Sequence, residues 1–445
     1  MNYSLLLAVT FGMVILFLLI IKIKFPAFIS LLIASIITGL LCGQNADQLI
    51  TSLKDGMGST LGFVATVVGL GSIFGAILEK SGGANAIARY LIEKTGVNNV
   101  PYALALSGFL VSIPVFFDVG IIILFPMIAA MHKESKKTIL YYAIPLFAGL
   151  AVSHAFIPPT PGPLAVTELL KADMMWVILL GFICGLPAVF TGGILFGKYI
   201  SNQLNIQLKN NPTEKEVDFK NASPITSLLM ILLPIVLIIF SSFINMLFPH
   251  IKNTNSGQFI HLIGHPFSAL IIANIFTWVF LGKKMGFSTD QLLDISNKSL
   301  APAGIIILVT GAGGVFKQIL VDTGAGKMIA ELLQNFGLGL VFFAFISATI
   351  IRVLQGSATV AMITAGGLVA PVLVNYHLSP IQTASLVIAI AAGATMLSHV
   401  NDSGFWLIKE YLQMDEKQGF KTWTMASSII GITGFIMSVL VFYLG

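Results

Sequence analysis

The sequence predicts an all-α polytopic membrane protein, and three observations predict it. Of 445 residues, 56% are hydrophobic and only 10% charged, against about a quarter charged in an ordinary soluble domain. Apolar runs close to the roughly 20 residues that a helix needs to cross hydrocarbon recur along the whole chain. The alternating segments of about ten residues that mark a membrane β-barrel are missing from the sequence. The net charge of +5 invites nucleic acid as a partner, but the basic residues lie in short loops between apolar runs, where membrane topology accounts for them. Cys42 and Cys184 both fall in apolar spans and read as small core residues, not as a disulfide.

Taken in order, Leu5–Ile21 is the first span. No basic segment precedes it and no small-residue cleavage site follows, so it reads as retained and not as a signal peptide. Lys22, Lys24 and Pro26 separate it from Ala27–Gly43. A polar link with Lys54 and Asp55 leads to Gly58–Leu78, whose glycines suit close helix packing. Glu79–Asn99 is amphipathic and reads as a helix lying at the interface. Residues 102–131 are apolar but interrupted by Ile113–Gly120, which contains Pro114 and Asp118. One straight helix of that length would reach about 45 Å across about 30 Å of hydrocarbon, so we expect a re-entrant hairpin with Asp118 at its tip. Gly149–Pro163 then places Ser153–His154 just before Pro158, Pro159, Pro161 and Pro163, none of which can continue a helix. Met174–Gly197 is a full span.

Residues 198–224 are the one substantial hydrophilic segment and read as a cytoplasmic linker between an N-terminal half (1–197) and a C-terminal half (225–445). The second half opens with Ile225–Phe248, Leu262–Gly282 and Leu300–Val321. A second interrupted stretch, 337–374, carries Arg352 to Thr359 in its middle. Gly393–Trp406 repeats the Ser-His arrangement as Ser398–His399, followed by Asn401, Asp402 and Ser403, before the last span, Trp423–Tyr443. Gly69–Leu91 laid over Gly311–Leu333 without gaps gives nine identities in 23 positions, among them Gly69/Gly311, Phe74/Phe316 and Gly82/Gly324. With the N-terminus outside, 18 of 24 Lys and Arg fall on the cytoplasmic side. That bias fixes the orientation and makes the two halves inverted repeats, the architecture of a secondary transporter. Charge cannot choose between about 10 spans with two hairpins and as many as about 14 spans, because both return the chain to the same side.

Ionisable groups at membrane depth cost several kcal/mol, so their presence asks for a reason. Asp118, His154, Arg352, His399 and Asp402 qualify. Asp118 is a lone carboxylate in a long uncharged run, suited to carrying a proton or to accepting hairpin amides. Arg352 suits a bidentate grip on a substrate carboxylate, or a structural ion pair with Asp118 or Asp402. Gln355, Gly356, Ser357 and Thr359 give the second tip small polar groups and free amides for an anion or hydroxyls, or simply tight packing. Ser153, Thr160, Ser398, Asn401 and Ser403 are candidates for substrate hydroxyls, and Asp402 for a proton, an ion or a helix cap. The spacing of Cys and His shows no metal site, and no Walker loop or other enzyme or cofactor signature competes.

At Pro114–Gly120, Ser153–Pro163, Arg352–Ala361 and Ser398–Trp406 the chain resembles the gluconate permease family of bacterial proton symporters, within the broader ion-transporter group, over essentially its full length. The resemblance implies uptake of gluconate or a related sugar acid with a proton across the bacterial inner membrane. Some members take D-serine or other small hydroxy-carboxylates. It also implies a homodimer with a moving central site. The expectation is therefore a proton-coupled symporter, with Asp118 and His154 or His399 handling the proton. Sodium coupling and a channel or receptor without coupled transport are the competing readings.

Overall fold

The computed structural model describes residues 3–96, 99–134, 137–208, 222–248, 250–251, 254–325, 328, 331, 339–400 and 402–445. Asn401 and residues 209–221 of the hydrophilic linker lie outside the described residues, as do Ile329, Ala330 and Leu333 of the sequence repeat. Every regular element among those described is a helix.

In the first half these are α1 (Tyr3–Ile21), α2 (Ala27–Leu41), α3 (Ala46–Lys80), α4 (Gly83–Thr95), α5 (Val100–Val111) and α6 (Phe117–Glu134). They continue as α7 (Leu140–Phe156), α8 (Pro161–Leu170) and α9 (Met174–Gln203). The second half has α10 (Pro224–Leu247), α11 (Asn255–Gly264), α12 (Pro266–Met285), α13 (Thr289–Asp322), α14 (Leu340–Gln355) and α15 (Ala358–Leu373). It closes with α16 (Pro380–Thr395), α17 (Ser403–Tyr411) and α18 (Glu416–Leu444). Among the described residues, seven stretches are long and apolar enough to span a membrane.

The order of parts recurs in both halves. A very long helix (α3, α13) is followed by an interrupted pair (α5–α6, α14–α15), a broken helix (α7–α8, α16–α17) and a last helix containing a π turn (α9, α18). The long helices depart from the expected spans. Hydropathy marks only Gly58–Leu78 and Leu300–Val321, but the helices run 35 and 34 residues. Both begin with a capping box, Asn45 with Gln48 and Ser288 with Gln291, and both carry Asp-Gln-Leu in the first turn. The box satisfies orphan amides and lets a polar leader join the apolar span in one helix.

The two long helices pack directly on each other. Gly56 abuts Gly314 and Val315, while Gly69 faces Leu300, so they run antiparallel, as inverted repeats require. A Cβ on Gly314 would lie 2.1 Å from Thr60 Oγ1 and 2.5 Å from the Gly56 carbonyl, so only glycine allows this approach. Lys317, in mid-helix on α13, donates from Nζ to the Leu169 carbonyl at 2.8 Å, satisfying the last turn of α8.

The first interrupted stretch breaks at Ser112–Phe116, where Ser112 Oγ donates to the Val115 carbonyl at 2.8 Å. Its two arms lean on α7 and not on each other. The second breaks at Gly356, whose φ of +88° takes the left-handed cap that a side chain would strain. The two Ser-His pairs differ. Ser153 and His154 sit inside the last turn of α7, whereas α16 stops at Thr395 and leaves Ser398 and His399 in an unwound link. α4 buries one face, with Ala84, Ile87 and Ala88, and exposes Arg89, Glu93 and Lys94.

Candidate functional site

The breaks surround a cavity of about 290 Å³. Phe116, Phe117 and Asp118 reach it from the start of α6, and Ala151, His154 and Ala155 from the end of α7. Ile305, Ile306 and Val309 form the α13 wall. Arg352 and Ser357–Val360 come from the second tip, and Ser398, Asp402 and Ser403 from the unwound link and the start of α17. The N-terminal ends of α6, α15 and α17 therefore meet at one space, and such ends carry unpaired amides and partial positive charge. Converging helix N-termini in a broken-helix membrane protein suit an anion.

Charge inside the cavity is arranged unevenly. Arg352 forms a buried ion pair through Nη2 with Asp402 Oδ2, and its Nε and Nη1 are buried without a hydrogen-bond partner among the described residues. Asp402 Oδ2 also accepts from Ser398 Oγ, and Oδ1 accepts from the Gly404 amide at 3.0 Å. Asp402 is thus both partner of Arg352 and cap of α17, with both of its oxygens accepting, an arrangement that holds the carboxylate in place. Asp118 differs: its carboxylate is accessible to the cavity and makes no hydrogen bond or ion pair within the described residues. The imidazole of His154 lies 6.0 Å from the Phe116 ring, centroid to centroid, and its Nδ1 is without a partner.

Of the residues proposed from sequence, the cavity gathers Asp118, His154, Arg352, Ser357, Thr359, Ser398, Asp402 and Ser403. Ser357 caps α15, its Oγ accepting from the Val360 amide at 3.4 Å. Five others fall elsewhere. Ser153 is fully buried outside the lining, its hydroxyl unpartnered. Thr160 donates to the Ile157 carbonyl at 2.6 Å and faces a separate small void with Ser72 and Pro114. His399 bonds the Val353 carbonyl through Nε2 at 3.0 Å. Gln355 and Gly356 end α14 behind the tip, outside the lining. Ser398, expected to meet a substrate hydroxyl, has its own hydroxyl engaged by Asp402 and by Trp423.

Sequence reasoning missed Trp423, Ser427 and the α13 wall. Trp423 had a signal: a polar-tipped aromatic at the edge of a span, four residues before Ser427. Nothing in sequence tied it to a serine 25 residues earlier.

Comparison with known proteins bears on the family and the fold. The low-affinity gluconate transporter of Escherichia coli (strain K12) is 37% identical over 99% of both chains. The gluconate permease of Bacillus subtilis (strain 168) is 35% identical over 96% of this chain and 97% of its own. The crystal structure of the Alcanivorax borkumensis YdaH transporter is similar in fold at a TM-score of 0.64, covering 94% of this chain and 97% of that one at 14% identity. A family model described as GntP family permease matches residues 4–444. The chain, a multi-pass membrane protein and not an enzyme, belongs to the GntP permease family.

Proposed function

We propose that the protein carries gluconate, or a closely related small hydroxy-carboxylate, into the bacterial cell together with a proton. One observation carries the reading: Arg352 borders a cavity where three helix N-termini meet, and its Nε and Nη1 are without a partner among the described residues. Each of these nitrogens has N–H donors that suit a carboxylate oxygen, with Nη2, held by Asp402, lying between them. Thr359, Ser357, Ser403 and His154 supply groups for hydroxyls around it. The relatives named as gluconate transporters and permeases support the choice of sugar acid.

Coupling follows from charge. Arg352 and Asp402 cancel, so an ionised Asp118 leaves the lining with one net negative charge. An anion entering beside it is repelled until Asp118 takes up a proton. Binding of substrate and proton then favour each other by linkage. Asn401 is kept as a candidate hydroxyl contact on its place in the sequence motif. The halves 1–197 and 225–445, joined by 198–224, are taken as the two arms of the working unit, a homodimer in the inner membrane on the family resemblance.

The test is reconstitution in liposomes with labelled gluconate. An inwardly directed pH gradient should drive accumulation above equilibrium at constant sodium, and unlabelled gluconate inside should accelerate exchange. Accumulation driven by sodium at equal pH would reject the proton, and absence of exchange would reject a carrier.

A further inference from the structure

Trp423 lies in the π turn Phe420–Thr424 of α18, one turn after the helix starts, a local geometry that recurs at functional positions. It is 3% exposed, and its indole N–H is a donor that needs an acceptor when buried. The acceptor is Ser398 Oγ, at 2.9 Å. Because the indole can only donate, the hydrogen of Ser398 must turn elsewhere, and it turns to Asp402 Oδ2. Asp402 in turn holds Nη2 of Arg352. The donors converge on one carboxylate: indole gives to hydroxyl and hydroxyl to Asp402 Oδ2, while the guanidinium gives to the same oxygen.

The rest of Ser398 is held by the same helix. Its amide donates to Ser427 Oγ at 3.1 Å, and its carbonyl accepts from Thr424 Oγ1. An unwound link has no helical ladder to fix a rotamer, so α18 supplies the constraint that the backbone lacks. The other side of the indole meets α6. Trp423 stacks on Phe117 with ring centroids 5.7 Å apart and planes 19° apart, and Phe117 directly precedes Asp118. One side chain therefore touches both the Arg352 wall and the Asp118 wall of the cavity.

We infer that Trp423 is a positioning residue for both halves of the transport reaction: its N–H aligns Ser398, Asp402 and thereby Arg352, while its ring seats the turn that carries Asp118. This rests on the reading above that a carboxylate binds at Arg352 and a proton at Asp118. The two contacts are separable. Trp423→Phe keeps a ring for Phe117 and removes the N–H. Trp423→Leu removes both.

The experiment measures gluconate uptake against substrate concentration and pH in proteoliposomes, with each variant matched for inserted protein. Trp423→Phe and Ser398→Ala should each raise KM about tenfold, with Vmax within about a factor of two, the size expected for losing one hydrogen bond to a charged group. The double variant should be no worse than either single, because both break one chain. Trp423→Leu should also move the pH dependence of uptake, which Trp423→Phe leaves in place. Ser398→Ala tests the chain even where a tryptophan variant inserts poorly. A wild-type KM in Ser398→Ala and Trp423→Phe, or effects that multiply in the double variant, would overturn the inference. A wild-type protein that does not accumulate gluconate would overturn the substrate reading instead.

Discussion

Arg352 and Asp402 face each other as a buried ion pair, yet the pair engages only one of the three guanidinium nitrogens. A pair left half open in this way holds the arginine in place without using it up. Removing one partner strands the other charge, which costs about 3–5 kcal/mol in buried pairs. Arg352→Ala should therefore lower thermal stability in detergent and abolish saturable uptake. Arg352→Ala with Asp402→Ala should regain most of the stability and none of the uptake. Thermal unfolding followed beside transport separates the two effects, and full uptake by the double variant would remove Arg352 from the site.

Asp118 is the accessible carboxylate of the cavity and has no partner within the described residues. Asp118→Asn removes the repelling charge and the protonatable group together. We expect exchange of labelled for unlabelled gluconate to persist while pH-gradient-driven accumulation disappears. Accumulation that survives in this variant places the proton elsewhere.

The two histidines of the paired motifs should behave differently. His154 borders the cavity with an unpartnered Nδ1, whereas His399 is outside the lining and bonded to the Val353 carbonyl. His154→Gln should raise the KM for gluconate about fivefold, one hydrogen bond's worth. His399→Gln should leave it within about twofold of wild type. Equal effects in a concentration series would contradict the placement of the cavity.

Gly314 offers a test of the frame. Its Cβ position is blocked by Thr60 and by the Gly56 carbonyl, while Gly62, on the same crossing helix pair, has nothing within 4 Å. Gly314→Ala should destabilise by about 1–3 kcal/mol, the usual cost of overpacking. Gly62→Ala should unfold at the wild-type temperature, or slightly above it.

Much of this was legible in the sequence because the breaks announce themselves. Prolines at 158–163 and Gly356–Ser357 interrupt apolar runs, and a helix cannot ignore them. Asp118, His154 and Arg352 stood out for the same reason, as charge or near-charge where water is scarce. What stayed hidden was partnership. For Arg352 the sequence offers an ion pair with Asp118 or with Asp402, 50 positions away, without choosing between them, and nothing local ties Trp423 to Ser398, 25 positions away. Hydropathy also cut α3 and α13 short, because it scores residues as lipid contacts while the capping boxes and polar leaders work outside lipid. The matching Ser-His pairs fall at corresponding breaks of the two halves. Local backbone made one a helical turn and the other an open link.

The great length of α3 and α13 has a consequence for depth. At 35 and 34 residues each reaches about 51–53 Å, which exceeds the hydrocarbon at any ordinary tilt, so each must stand proud of it. Being antiparallel, they project their polar leaders from opposite faces, and the apolar remainder of each becomes a ruler laid across the bilayer. On α13 that ruler starts near Leu300, and the cavity wall at Ile305 to Val309 lies about 8–14 Å along it. The guanidinium and the carboxylates are then roughly as far from one aqueous surface as a solute must travel to leave water altogether.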